Sequence, residues 1–114
     1  MKTLRCTFEM EIDVQFENSV AVENYFVHGD WKKSFYTHAD LEEVAAHLAE
    51  CFHTESDRWD STRMVFYRQV EGYGNYYKQV DGSYNVCEEA VREIGSGITI
   101  KYELELSHAG TFEV

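Results

Sequence analysis

The amino-terminal segment is a long and regular alternation of apolar and polar residues. Apolar side chains occupy every even position of residues 4–16, and polar side chains occupy the odd positions between them. Because successive side chains of a strand point to opposite faces of a sheet, this pattern predicts a strand over residues 3–16 with one buried face. Its other face would carry three carboxylates, Glu9, Glu11 and Asp13. A strand with one face in water is typical of an antiparallel sheet.

The segment THADLEEVAAHLAECFH, residues 37–53, has the period of an amphipathic helix. Its apolar residues recur three and four positions apart, which places them on one stripe of a helix. The stripe consists of Leu41, Val44, Ala45, Leu48 and Phe52. Thr37 with Asp40, or Asp40 with Glu43, could cap the start of this helix.

The remaining segments predict further strands, a hairpin and a second helix. Strands are expected over residues 19–27, 31–36, 62–70, 75–80, 83–86 and 98–106. Asp81-Gly82 is a strong hairpin signal, and Gly29 would supply positive φ in a turn at 28–30. Asn85 would cap a helix over residues 85–95. The sequence therefore predicts one α+β domain over residues 1–114: a mostly antiparallel sheet of five to six strands with two helices on one face, in the order βββαββαβ.

The charge balance restricts the partners that the chain can have. Twenty-one acidic residues face ten basic ones, for a net charge of −11. Phosphate backbones and anionic membrane surfaces attract basic proteins, so neither nucleic acid nor membrane is an expected partner. A basic protein surface, such as one that normally holds nucleic acid, is electrostatically complementary. The alternative is that the acidity serves only solubility.

The cysteines and the amino terminus predict a cytoplasmic location. Three cysteines, Cys6, Cys51 and Cys87, are an odd number without the spacing of a disulfide framework, which favours reduced thiols. The amino-terminal residues have no apolar core typical of a signal peptide, and no apolar run is long enough to span a membrane.

Motifs of enzymes are absent from the sequence, so we expect neither catalysis nor a cofactor. The sequence has no phosphate-binding loop, nucleophile elbow, zinc-protease motif or CxxC pair. His47 and Cys51 are four residues apart on the predicted helix and could share a metal ion, but zinc needs two more ligands. His53, Asp57 and Asp60 lie close in sequence and represent the alternative of a small enzyme or ligand-binding domain.

The acidic residues of the first and the last predicted strands form the predicted partner-binding surface. Glu103 and Glu105 alternate with apolar residues in the closing strand, as Glu9, Glu11 and Asp13 do in the first. If these strands are neighbours, their carboxylates would form a double ladder of negative charge. Tyr67 is out of phase with Met64 and Phe66, which favours its projection onto the same open face. Neutralising Glu9, Glu11, Glu103 and Glu105 is expected to weaken partner binding and leave the fold intact.

The chain resembles the small acidic anti-CRISPR and DNA-mimic inhibitors of phages. The resemblance lies in size, charge and the order of four segments: LRCTFEMEIDV, ADLEEVAAHLAECFH, MVFYRQVEGYGNYYKQVDGSY and ITIKYELEL. It implies an inhibitor without enzymatic activity, whose acidic surface docks on the basic site by which a CRISPR effector complex holds nucleic acid. In a phage-encoded inhibitor the compartment would be the cytoplasm of the host bacterium.

Three alternatives are open, and the sequence does not separate the first of them from an anti-CRISPR inhibitor. An immunity protein that neutralises a basic nuclease toxin would have the same acidity and the same lack of catalytic residues. A small enzyme would have a pocket with convergent histidine and carboxylate groups. A structural subunit would associate with itself through an apolar patch or a free strand edge. The sequence is compatible with a monomer or a homodimer.

Overall fold

The computed structural model describes residues 1–86, 97–102 and 107–114, which form a two-layer α+β domain. Its strands are β1 (Leu4–Glu9), β2 (Ile12–Phe16), β3 (Arg58–Asp60), β4 (Val65–Val70), β5 (Gly74–Lys78), β6 (Tyr84–Val86), β7 (Ile98–Tyr102) and β8 (Ser107–Glu113). The main sheet has six antiparallel strands in the order β2-β7-β6-β5-β4-β3, and β1 pairs with β8 in a separate ribbon. The predicted class, α+β with a mostly antiparallel sheet, is confirmed.

Helical segments cover one face of the main sheet and enclose the core. They are α1 (Ser19–Glu23), a π-helical turn (Asn24–His28), α2 (Trp31–Ser34) and α3 (Leu41–Thr54). The helix α3 lies against β2 and β4. Ten of the described side chains are fully buried between the two layers: Val22, Phe26, Val44, Leu48, Phe52, Val70, Tyr73, Tyr76, Ile98 and Ile100.

The long helix agrees with its prediction. Val44, Leu48 and Phe52 of the predicted stripe are fully buried. The carboxylate of Asp40 accepts a hydrogen bond from the backbone N–H of Glu43 at 2.9 Å. Glu43 in turn accepts one from the backbone N–H of Ala39 at 2.7 Å. The first bond satisfies a backbone donor that the first turn of a helix leaves without a partner, and the second satisfies the N–H of the residue before the cap.

The strands predicted over residues 19–27 and 31–36 are wrong, because both segments are helical. Asn18 caps the first by accepting a hydrogen bond from the backbone N–H of Ala21 at 3.1 Å. Val22 and Phe26 are four residues apart and both are buried on one helical face. In so short an apolar run the periods of strand and helix are hard to distinguish, so the cap is the more specific signal. The order βββαββαβ is corrected accordingly.

The two predicted glycine turns have different outcomes. Gly82 has a φ of +88°, as expected for the hairpin between β5 and β6. Gly29 has a φ of −83°, so the predicted positive φ is wrong. A Cβ atom at Gly29 would lie 2.7 Å from the carbonyl oxygen of Tyr25, so close approach of the backbone, and not dihedral freedom, requires glycine there.

The predicted strand over residues 3–16 is interrupted at Met10 and Glu11, and its halves lie in different sheets. The closing strand is described as β7 up to Tyr102, and β8 was not predicted.

The predicted helix over 85–95 lies almost entirely outside the described residues. However, Asn85 belongs to β6, where its side-chain amide donates to the hydroxyl of Thr99 at 2.8 Å, so its predicted role as a helix cap is wrong.

The molecule is longer than a compact chain of its size. Its radius of gyration is 16.7 Å and its principal extents are 56, 37 and 22 Å. A compact chain of this length has a radius of gyration of about 13 Å. Among the helices within the described ranges, none is long and apolar enough to cross a membrane.

Candidate binding groove

An open groove with an aromatic wall and two carboxylates lies beside the turn between β4 and β5. Its volume is about 790 Å³, in the range typical of ligand sites. Tyr25, Trp31 and Phe35 line one side, and Glu55, Arg58 and Glu71 contribute charged groups. The groove therefore combines residues from the helical layer with residues from one edge of the sheet.

A stack of two rings forms the aromatic wall. Trp31 and Phe35 are four residues apart, and their ring centroids are 5.3 Å apart with an interplanar angle of 29°. Trp31 is 7% exposed and belongs to the core, whereas Phe35 is 45% exposed and faces solvent. The indole N–H of Trp31 donates to the carbonyl oxygen of Gly72 at 2.7 Å. This bond attaches the wall to the turn between β4 and β5.

Gly72 allows the turn to approach the wall this closely. Its φ is +83°, a backbone conformation that is strained in residues that carry a Cβ atom. A Cβ atom at this position would also lie 3.0 Å from Phe35 and 3.2 Å from Trp31. The glycine-rich segment EGYGN is thus the loop of the β4–β5 hairpin, and its first glycine fits against the aromatic rings.

The charged groups of the groove favour a cationic ligand. Glu55 follows the end of α3, and Glu71 lies in the turn after β4. Within the described part of the chain, neither carboxylate forms an ion pair. The guanidinium of Arg58 donates to the side-chain oxygen of Gln69 at 3.3 Å. A lysine or arginine side chain could contact both the aromatic faces and the carboxylates, by cation–π attraction and charge pairing.

A chain of hydrogen bonds supports the helical layer behind the wall. The hydroxyl of Tyr73 lies 2.9 Å from Nε2 of His38 and 2.7 Å from Nδ1 of His47. Nε2 of His47 lies 3.5 Å from the sulfur of Cys51. Since the phenol has one proton, it donates to one imidazole and accepts from the other. The ring of Trp31 stacks on that of His38, which connects this chain to the groove.

The pKa values of three groups in this hydrogen-bond chain, His38, Cys51 and Tyr73, are shifted in the direction that favours the neutral form. Burial raises the pKa of the Cys51 thiol, and Glu50, Glu55 and Glu71 raise it further. Burial also raises the pKa of the Tyr73 hydroxyl above its usual value. Burial, followed by the neighbouring His47, lowers the pKa of His38. A thiol with a raised pKa is a weak nucleophile at neutral pH, so this geometry favours support of the fold over covalent chemistry.

The residues predicted for the acidic ladder are not brought together within the described ranges. Glu9 is opposite Ser107 in the ribbon, and Glu11 lies in the break between β1 and β2. Asp13 is opposite Lys101 in the main sheet, so the pairing places unlike charges side by side. β2 and β7 are neighbours, as the double ladder requires, but Glu11 lies outside both strands and Glu103 and Glu105 lie outside the described residues, so the double ladder stays a prediction.

The open face of the main sheet is polar and aromatic and carries both acidic and basic residues, such as Asp13 and Lys101. Tyr67 is on this face, as predicted, and stacks on Tyr77 with ring centroids 5.4 Å apart. Tyr77 pairs with Asn85 on the next strand, and Asn85 pairs with Thr99. This composition makes the open face a weaker candidate for a basic partner than the groove.

His53, Asp57 and Asp60 each bond to different groups. His53 lies 3.1 Å from the hydroxyl of Tyr102, and Asp60 accepts hydrogen bonds from Arg63. Asp57 accepts from the guanidinium of Arg68 at 2.9 Å and from the hydroxyl of Tyr84 at 2.8 Å. The three side chains do not point into one site.

Arg68 connects Asp57 to the core. Burial raises the pKa of Asp57, but the hydrogen bonds from Arg68 and Tyr84 outweigh this effect and lower it. The guanidinium also lies 4.6 Å from the ring centroid of Phe52, and its side chain is only 12% exposed. This is the geometry of a buried, paired charge that holds β4 against α3.

The described residues supply no further ligands for the metal site considered at His47 and Cys51, and Cys87 lies outside them. Across residues 1–86, 97–102 and 107–114, no three histidine, cysteine or carboxylate groups are placed to hold an ion. Cys51 instead hydrogen-bonds to His47, and His47 hydrogen-bonds to Tyr73.

The groove was not predicted from the sequence, because its residues come from segments for which the sequence predicts other structures. Trp31 and Phe35 were placed on a strand, where they would have been on one face but unconnected to the turn at Gly72. Their spacing of four residues was the available signal for a helical stack. Comparisons with protein-family models, curated proteins and solved structures give no match, so the function is argued from geometry and charge.

Proposed function

We propose that the protein is a non-enzymatic inhibitor that docks its acidic, groove-bearing side on the basic nucleic-acid-binding site of a CRISPR effector complex. The observation that carries the proposal is the groove, in which two carboxylates without ion pairs in the described structure flank an aromatic wall, on a chain of net charge −11. Such a site suits the arginine and lysine side chains by which a protein grips phosphates.

Further carboxylates extend the negative surface beyond the groove. Glu42 and Glu50 are exposed on α3, and neither forms an ion pair with a described residue. The helix carries no lysine or arginine in its fourteen residues. Long-range attraction of this kind accelerates association with a basic partner and is weakened by salt.

Competition with nucleic acid needs no chemical step. The inhibitor would occupy basic side chains that otherwise hold guide or target, and its affinity would come from contacts in the groove. This mechanism uses Glu55, Glu71 and Phe35 as binding residues and assigns no catalytic residue.

A tagged pull-down at low and high salt tests the proposal, with bound proteins identified by mass spectrometry. From a bacterial lysate containing CRISPR effector complexes, we expect the wild-type chain to recover an effector complex at low salt and to lose it at high salt. The variant E55Q/E71Q should bind roughly tenfold more weakly, because it removes charge-assisted contacts in the groove.

The variant E42Q/E50Q is the matched control, since it removes the same number of charges from the exposed side of α3. It should retain most of the binding. Equal loss in both variants would contradict the role of the groove. Recovery of a lone nuclease would indicate that the groove serves an immunity protein and not an anti-CRISPR inhibitor. Recovery of no basic protein would indicate that the acidic residues serve solubility.

A further inference from the structure

The ribbon formed by β1 and β8 is exposed on both faces. All six residues of β1 are exposed, including Leu4 at 55% and Phe8 at 52%. Phe112 and Val114 are exposed at the end of the opposite strand. Among the described elements, β1 and β8 contact each other extensively and no other element to a similar extent. An isolated two-stranded ribbon is marginally stable in water, whereas three or more strands with an apolar face are stable.

β1 and β8 each have one edge that pairs with no described strand. These two edges differ in regularity. The pairing shifts between Thr7 and Phe8, because Thr7 is opposite Gly110 and Phe8 is opposite His108. Ala109 is therefore an extra residue that bulges from β8, while β1 continues without interruption. Bulges protect an edge from pairing with further strands. The free edge of β1 is the one suited to accept another strand.

The sequence of β1 is complementary to itself. In an antiparallel pair of two β1 strands centred on Thr7, Arg5 of each copy is directly opposite Glu9 of the other. Cys6 is then opposite Phe8, which places apolar side chains together on the other face. Neither Arg5 nor Glu9 forms an ion pair with a described residue. Opposite charges across a strand pair stabilise it, so this register gives two complementary charge pairs.

The local charge also permits a second copy to approach. Although the chain carries −11, residues 1–9 and 107–114 contain two bases, Lys2 and Arg5, and two acids, Glu9 and Glu113. Two ribbons can therefore meet without the repulsion that would oppose contact between the acidic sides of two molecules.

We infer that two copies associate through their β1 edges. The product is an isologous dimer with a continuous four-stranded sheet, β8-β1-β1-β8, and a two-fold axis through the paired Thr7 residues. The groove and the β1 interface share no residues, because the groove is lined by residues 25–75 and the ribbon consists of β1 and β8. This inference does not depend on the proposed function.

Sedimentation equilibrium of the full chain over a range of concentrations tests the interface. The wild type should be a dimer that dissociates on dilution. R5E should bind itself about tenfold more weakly, because each Arg5–Glu9 pair becomes a pair of like charges. K32E is the matched control: it makes the same charge change at an exposed residue of α2 and should leave the dimer unchanged.

Two further measurements distinguish a specific pairing from a general effect of charge or folding. The double variant R5E/E9R restores both charge pairs and should recover the wild-type dissociation constant. An equimolar mixture of R5E and E9R should form a heterodimer, because each variant supplies the charges that the other lacks. A wild-type chain that stays monomeric at its highest soluble concentration overturns the inference. A dimer that R5E does not weaken, or that the charge swap does not restore, overturns it too.

Discussion

Tyr73 occupies a glycine-rich turn, yet its side chain is fully buried. Turn residues are usually exposed, so its position gave no reason to place it in the core. The flanking glycines were the available signal, since Gly72 and Gly74 both have positive φ and allow the chain to direct the ring inward.

The sequence likewise grouped His53 with Asp57 and Asp60 by proximity, although their hydrogen-bond partners separate them. A local sequence pattern does not indicate which side chains distant in sequence will form hydrogen bonds.

His38 should make the stability of the protein depend on pH. Because the pKa of His38 is lowered from 6.5 in the folded chain, the unfolded chain binds more protons at this site near and below that pH. The stabilisation is fully present above the unfolded pKa and is lost as pH falls toward and through the folded pKa. We expect the free energy of unfolding in urea to decrease from about pH 7 to about pH 5.

The variant H38Q should show a smaller decrease over the same pH range than the wild type. H53Q, which replaces an exposed histidine, should keep the decrease of the wild type. A decrease that is identical in the wild type and in H38Q would show that His38 is not the group responsible.

At the scale of elements, the sequence predicted the long helix and the central hairpins well and the first third of the chain poorly. A period of 3.6 over fourteen residues and a capping box define α3 without help from the rest of the fold. Residues 19–34 are short apolar segments in which the two periods overlap. The alternation of residues 4–16 was real, but alternation does not reveal where a strand leaves one sheet for another, because that depends on the partner strand.

The cap of α3 is expected to contribute measurably to stability. D40A removes the acceptor for the backbone N–H of Glu43, and we expect the free energy of unfolding to fall by about 1 kcal/mol. E42A is the control, since this exposed residue makes no capping bond and alanine favours helix. Urea unfolding followed by circular dichroism measures both. A loss in E42A as large as that in D40A would contradict the capping role.

At the scale of the whole molecule, charge and shape divide the protein into two parts. The body carries the groove and the exposed acids of α3, and the ribbon extends from it with balanced charge. The net charge could be read from composition, but its distribution could not, because Glu9 and Asp13 of the predicted ladder lie in two different sheets. The α+β class followed from strand and helix patterns, whereas the groove depends on contacts among residues 25–75 that no local pattern indicates.

The most direct test of the central claim is the affinity of a CRISPR effector complex for labelled nucleic acid, measured by fluorescence anisotropy with increasing amounts of the protein. The account predicts displacement of the nucleic acid, reversal by excess unlabelled nucleic acid, and a marked loss of potency for E55Q/E71Q but not for E42Q/E50Q. Simultaneous binding of the protein and nucleic acid, with unchanged nucleic-acid affinity, would contradict it.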